Sequence, residues 1–213
     1  MIEMGRFITL EGIEGVGKST QVAALSAALK LRNVAHVVTR EPGGTPLAET
    51  IRQVVLSARE ETLPPMAELL LMFAARAVHL ANLIEPNLRA GRWVICDRFT
   101  DATYAYQGGG RALSDAPIRQ LESMVQATRR PDLTLLLDAP VQSALARAAA
   151  RNAGSVPDRF ERERGEFFER VRSAYGALAA AEPKRIVVVD ATRPIVEVGE
   201  CILDQLKARS WIS

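Results

Sequence analysis

Gly12-Ile13-Glu14-Gly15-Val16-Gly17-Lys18-Ser19 fills every fixed position of the pattern G-x-x-x-x-G-K-[ST]. Glycines in such a run let backbone N–H groups close around phosphate oxygens, and a helix opening near Lys18 aims its positive end at the same anion. Lys18 then reaches the β- and γ-phosphates, the Ser19 hydroxyl ligates Mg²⁺, and Thr20 joins the donor site. The chemistry implied is the binding of a nucleoside triphosphate with its metal. The apolar run Phe7-Ile8-Thr9-Leu10 stands just upstream, as a strand delivering this loop would.

Three later apolar runs end in aspartate: Asp97 after Cys96, Asp138 after Leu137 and Asp190 after Val189. A carboxylate at a strand end beside a phosphate loop either serves Mg²⁺ or caps the next helix. Asp138 shortly precedes Pro140, and Asp190 stands before Thr192 and Pro194, so both read as helix entries. Asp97 is followed by Arg98 and a polar, aromatic segment, and it is the one assigned to the metal and phosphates.

Other groups suit an acceptor. Arg40-Glu41-Pro42-Gly43-Gly44-Thr45-Pro46 closes the second apolar run, and Pro46 suits the first turn of a helix carrying Arg52. Arg40 and Arg52 are candidate phosphate clamps, the alternative being solvent pairs with Glu41 or Glu49. A helix from Met66 puts Met66, Leu69, Leu70, Phe73, Leu80, Leu83 and Ile84 on one stripe, with Arg76 close beside it and needing a partner. In Thr100 to Arg111, a helical turn places Thr103 and Gln107 on one face, where hydroxyl and amide can bond a pyrimidine edge. The alternative is a polar helix end capped by Gly108.

Arg147 and Arg151 share a helical face just before a break at Asn152-Ala153-Gly154-Ser155-Val156-Pro157, and the helix is expected to resume through Asp158-Arg159-Phe160-Glu161. The stretch 147–160 reads as a lid. Since Ile13, Glu14, Gly15 and Val16 include no arginine, the charge that stabilises transfer is expected from the arginines flanking this break.

These groups must be positioned by a scaffold. Short β-branched runs at Arg6 to Leu10, Ala35 to Thr39, Trp93 to Cys96, Leu133 to Leu137 and Ile186 to Val189 alternate with amphipathic stretches. That alternation predicts an α/β fold with a five-stranded parallel sheet and helices on both faces. The whole of 1–213 is expected to form one domain, with no repeat or linker. A formal net charge of +2, from 27 basic and 25 acidic residues, argues against a polynucleotide footprint. The two cysteines, Cys96 and Cys201, support neither a disulfide framework nor a metal cluster. With no signal-peptide layout and no uninterrupted 18-residue apolar run, a cytoplasmic protein without a membrane partner is expected.

Taken together these segments resemble thymidylate kinase, over nearly the whole chain from Phe7 to the final helix. The resemblance rests on Glu11 with the phosphate loop, Arg40 to Gly44, Phe73 to Arg76, Asp97-Arg98-Phe99, Tyr104 to Gly110 and Asp158 to Glu161. It implies the nucleoside monophosphate kinase version of the P-loop fold, and transfer of the γ-phosphoryl of ATP to dTMP with Mg²⁺, giving dTDP and ADP in dTTP synthesis. It implies the bacterial type, with Arg151 and Arg159 as lid arginines, Glu14 facing the acceptor sugar or phosphate, and Arg98 on the acceptor phosphate. It further implies that Arg76, Thr103 and Gln107 address the thymine edge, that Tyr106 disfavours a 2′-hydroxyl, and that Arg52, Phe73 and Glu41 complete the pocket of a homodimeric enzyme. Many relatives place the base-stacking phenylalanine four residues before the arginine; here Met72 has that spacing and Phe73 follows it, so either side chain can contact the base.

No strong general base is required, because the acceptor phosphate is already anionic near neutral pH and catalysis rests on alignment and charge neutralisation. Two rivals stand beside this reading: a kinase for UMP or a deoxynucleoside, and a regulatory GTPase. No Asn-Lys-x-Asp segment supports the second.

Overall fold

The computed structural model describes residues 4–57, 60–151, 158–160 and 162–213. The five apolar runs form the strands β1 (Phe7–Glu11), β2 (His36–Arg40), β3 (Trp93–Asp97), β4 (Leu133–Asp138) and β5 (Ile186–Asp190). Each extends one residue past the apolar run to end on a charged side chain, because a strand is defined by its backbone ladder and not by hydrophobicity. All pairings are parallel, in the order β2-β3-β1-β4-β5.

Between them run α1 (Lys18–Leu31), α2 (Pro46–Leu56), α3 (Pro65–His79), α4 (Glu85–Arg89), α5 (Thr100–Thr103), α6 (Asp115–Gln126), α7 (Val141–Arg151), α8 (Gly165–Ala181) and, after β5, α9 (Ile195–Ala208). Ile8 and Ile95 enter one apolar cluster while Phe7, Val94 and Cys96 enter another, so alternate residues of the central strands are covered on both faces. From β1 the chain crosses to β2 on one side, and from β3 it crosses to β4 on the other. The carboxyl ends of these adjacent strands are therefore the switch point where open α/β sheets bind ligands, and the loops after Glu11 and Asp97 both open there.

Gly15 shows why the first of these loops is glycine-rich: its φ is +78°, and a Cβ there would lie 1.8 Å from the Ala144 carbonyl oxygen of α7. Pro46 opens α2 as expected, with Thr45 Oγ1 accepting from the Ala48 N–H at 3.4 Å. Asp138 and Asp190 take structural roles. Asp138 receives both arms of Arg172 at 2.7 Å, and Asp190 accepts from the Thr192 N–H at 2.9 Å.

Two local expectations are corrected. Met66 and Leu70 lie 41% and 51% exposed instead of on the core stripe of α3, because its buried positions run through Glu68, Leu69, Phe73, Arg76 and His79. The helix after the break begins at Gly165 and not at Asp158; residues 158–160 form a turn, and residues 152–157 and Glu161 lie outside the described residues. The continuous helical stretch Pro65–Arg89 is, among the described residues, the one segment long and apolar enough to cross a membrane. Its Glu68, Arg76 and His79 are buried in polar contacts within the protein, which makes it a core helix.

Candidate active site

At the amino end of α1, Lys18 is buried and its Nζ donates to the Gly12 and Ile13 carbonyls at 3.0 and 2.8 Å, across its own loop. Burial, then the nearby Arg98 charge, pushes this ammonium down to about 8. Ser19 Oγ donates to Asp97 Oδ2 at 3.3 Å, and Asp97 Oδ1 is buried without a hydrogen-bond partner. A hydroxyl beside a carboxylate oxygen with spare capacity is a hard donor set, and it fits Mg²⁺, which takes one or two protein oxygens and completes its shell with phosphate and water. Among the described residues no group of three or more His, Cys, Asp and Glu competes as a metal site.

Arg98 follows Asp97 with φ +72°, a left-handed conformation unusual for a side chain of this size. Its Nη2 donates to Glu14 Oε1 at 2.9 Å and to Tyr106 Oη at 2.8 Å, and Tyr106 Oη in turn donates to Glu14 Oε2 at 2.8 Å. Burial opposes the guanidinium charge, but Tyr106 and Glu14 more than offset it, so Arg98 stays charged while its buried Nε lacks a partner. The backbone after it is clamped by Glu11: Oε1 accepts the Phe99 N–H at 2.7 Å, and Oε2 accepts the Tyr175 hydroxyl at 2.7 Å. Fully buried, and facing the Asp101 charge, the Glu11 carboxyl is pushed up to about 8.

Beyond Arg98 a cavity is lined by Glu14, Glu41, Arg52, Met72, Arg76, Thr103, Tyr106 and Gln107. Arg76 is 3% exposed; its Nε donates to Glu41 Oε2 at 2.7 Å and its Nη2 to Thr103 Oγ1 at 2.9 Å, while Nη1 is buried without a partner. Glu41 is held in turn by His79 Nδ1 at 2.9 Å. Thr103 closes α5 and Gln107 lies in the wide helical turn Tyr104–Gly110, so the helix continues past the point where Gly108 could have capped it. Arg52 is fixed by donating to the Pro42 carbonyl at 2.9 Å. Arg40 takes its alternative role, pairing with Glu49 at 3.0 Å on the surface. Of the two base-stacking candidates, Met72 lines the cavity; Phe73 is 2% exposed, packs with Leu69 and Ile118, and lies behind the Arg76 guanidinium at 4.8 Å. Phe73 is therefore core and not a lining residue, because its position on α3 faces α6.

On the other side of the phosphate loop, Gly15, Val16, Gly17, Thr20, Arg147, Arg151 and Arg193 line a second cavity. Arg147 Nη1 donates to the Ala191 carbonyl at 3.2 Å. Arg151, exposed at the end of α7, borders both this cavity and the crevice holding Lys18, Ser19, Asp97 and Arg98. Arg159 stands elsewhere. Its guanidinium is bonded to Glu68 and to the Val55 carbonyl, beside Arg111 and Arg162, and in this arrangement it is not among the residues lining the phosphate crevice.

Glu68, His79 and Tyr175 belong to none of the motifs that the sequence displays. A signal existed for two of them: Glu68 and His79 flank Arg76 on the buried face of an apolar helix, where charge requires charge.

A family model described as "Thymidylate kinase" matches residues 10–202. The thymidylate kinase of Methylococcus capsulatus is 56% identical over 202 residues, 95% of each chain. That of Chromohalobacter salexigens is 57% identical over 210 residues, covering 97% of this chain and 98% of its own. Among solved structures, the thymidylate kinase of Ehrlichia chaffeensis matches with a TM-score of 0.77 at 32% identity, over 95% of this chain and 99% of that one.

Proposed function

The chain belongs to the thymidylate kinase family, and on that premise we propose how its residues share the transfer of the ATP γ-phosphoryl to dTMP, the reaction that yields dTDP and ADP for dTTP synthesis. One observation carries the reading. The cavity around Arg76, the crevice around Lys18 and the cavity around Arg147 run together in a row, sharing Arg98 at the first junction and Arg151 at the second. A row of that kind suits an in-line transfer between two phosphates.

The donor triphosphate lies on the loop Gly12 to Ser19, its base between Arg147 and the β5–α9 connection, with Thr20 at the edge. Ser19 and Asp97 hold Mg²⁺, which supplies charge neutralisation on the phosphates when bound. Lys18 bonds the β- and γ-oxygens, and Arg98 bonds the acceptor phosphate. Arg151 screens the charge that spreads over the moving phosphoryl. No base is needed, since the acceptor oxygen is anionic already.

In the acceptor cavity the unpartnered Nη1 of Arg76 supports a donor to a thymine carbonyl, and Gln107 stands beside it to bond the ring N–H. Met72 covers the ring. Tyr106, locked against Glu14 and Arg98, fills the place a 2′-hydroxyl would need. The exposed apolar side chains of Leu47, Val54, Met66 and Leu70 on α2 and α3, and of Met124 on α6, support a homodimer, and the enzyme works in the cytoplasm.

Arg151→Ala separates this reading from a binding role. The expected result is a kcat lower by about 10²- to 10³-fold with the KM for dTMP nearly unchanged. A raised KM at full kcat would remove Arg151 from the transfer. A panel of dTMP, dUMP and UMP, read by coupled ADP release, tests the acceptor side.

A further inference from the structure

Glu68 is a carboxylate outside the phosphate site with no solvent exposure. Three donors converge on it from two segments distant in sequence. Gln107 Nε2 donates to Oε1 at 2.6 Å, Arg111 Nε donates to Oε2 at 3.2 Å, and Arg159 donates to the same Oε2. The proposed division of labour gives Glu68 no task, yet a buried carboxylate with two guanidiniums is a costly arrangement to maintain for packing alone.

Its chemistry fixes something the amide cannot fix for itself. A side-chain amide is nearly symmetric in shape but opposite in character at its two ends, and its neighbours decide which end points where. A carboxylate flanked by guanidiniums only accepts hydrogen bonds, so Gln107 must turn its NH₂ toward Glu68. The carbonyl Oε1 is then the end left for the cavity that Gln107 lines. An acceptor beside the donor Nη1 of Arg76 matches a ring that presents N3–H next to C4=O, as thymine does, and opposes cytosine, which presents a bare N3 next to an amine.

We propose that Glu68 is a specificity-positioning residue: by holding the Gln107 amide in one orientation, it makes the acceptor cavity reject cytosine nucleotides. The proposal rests on the reading that Gln107 faces the base. Arg111 and Arg159 both bond Glu68 Oε2, which ties base choice to the turn at 158–160, where Arg159 N–H also donates to the Leu56 carbonyl at 3.2 Å.

The test measures kcat/KM for dTMP and for dCMP in the whole enzyme and three variants. Glu68→Gln can donate as well as accept, so it lets the Gln107 amide flip. The dTMP-to-dCMP ratio should narrow by about tenfold, the size of one exchanged hydrogen bond. Glu68→Asp still only accepts; it should raise the KM for dTMP yet hold the ratio within about threefold. An equal loss for both substrates in Glu68→Gln, or a collapse of the ratio in Glu68→Asp, overturns the proposal. Gln107→Ala separates the two levels. If it narrows the ratio while Glu68→Gln does not, the proposal alone fails; if it leaves the ratio intact, Gln107 does not read the base and the proposal falls with that reading.

Discussion

The acceptor cavity and the phosphate crevice meet at Arg98 but are built on opposite plans. In the acceptor cavity the polar groups assigned to the base are backed by other buried side chains: Arg76 by Glu41 and Thr103, Glu41 by His79, Gln107 by Glu68. In the crevice, Lys18 and Asp97 lean on backbone or keep capacity free. Lys18 rests on two carbonyls of its own loop, and Asp97 keeps one oxygen unpaired. The difference follows from what each must recognise. A nucleobase is told from its relatives by one or two polar atoms, so donors and acceptors need fixed directions before it arrives. A triphosphate is mostly charge, which glycine-loop amides, a helix terminus and cationic side chains serve without fine orientation.

The contrast breaks most visibly at Lys18. Replacing it with alanine should lower kcat by on the order of 10³-fold while thermal unfolding changes little, because the side chain supports charge in transfer and its own hydrogen bonds go to backbone carbonyls of the loop. Unfolding at a much lower temperature would show that the crevice is as interlocked as the acceptor cavity. Arg76→Met should behave in the other way, costing stability as well as activity. Glu41 would lose its closest charged partner in a buried setting, at about 3–5 kcal/mol by denaturant titration, with the KM for dTMP up by at least tenfold. A variant that binds dTMP poorly but unfolds like the wild type would sever recognition from the buried pairs.

The junction gives a pH effect. Glu11 keeps its proton in the folded protein up to about pH 8, whereas in the unfolded chain it loses it near 4.5. The folded state therefore binds the extra proton across that window, so this contribution to stability is full below about 4.5 and is lost as pH rises toward 8. Glu11→Gln should flatten that slope in urea titrations run at several pH values; an unaltered slope would mean Glu11 does not titrate there. At the small end, Arg40→Ala should change stability by less than about 0.5 kcal/mol and the KM for dTMP by less than twofold, as an exposed pair with Glu49 predicts.

The sheet was legible to within a residue, because runs such as Trp93 to Cys96 admit no other parallel-sheet reading once helices flank them. The phosphate loop was equally plain, since its glycines are needed one by one. Three parts were not. Phe73 and Met72 both fit the spacing before Arg76, and only the packing of α3 against α6 decides which one faces the ligand. The contact of Arg159 was hidden as well, because a sequence lists charges without their partners, and the buried Glu68 that it bonds lies far away along the chain. Glu68 itself resembled an ordinary first-turn acid of a helix, a position where carboxylates are common for reasons of dipole alone.

The absence of a side chain at Gly15 has a mechanical consequence. Since the loop backbone touches α7 at Ala144, that contact acts as a fulcrum, and Arg151 sits seven residues along the arm, roughly 10 Å at 1.5 Å per residue. A slight tilt of the helix is magnified at its tip, so a methyl group added at the pivot would misaim a cation far from the place where it was added.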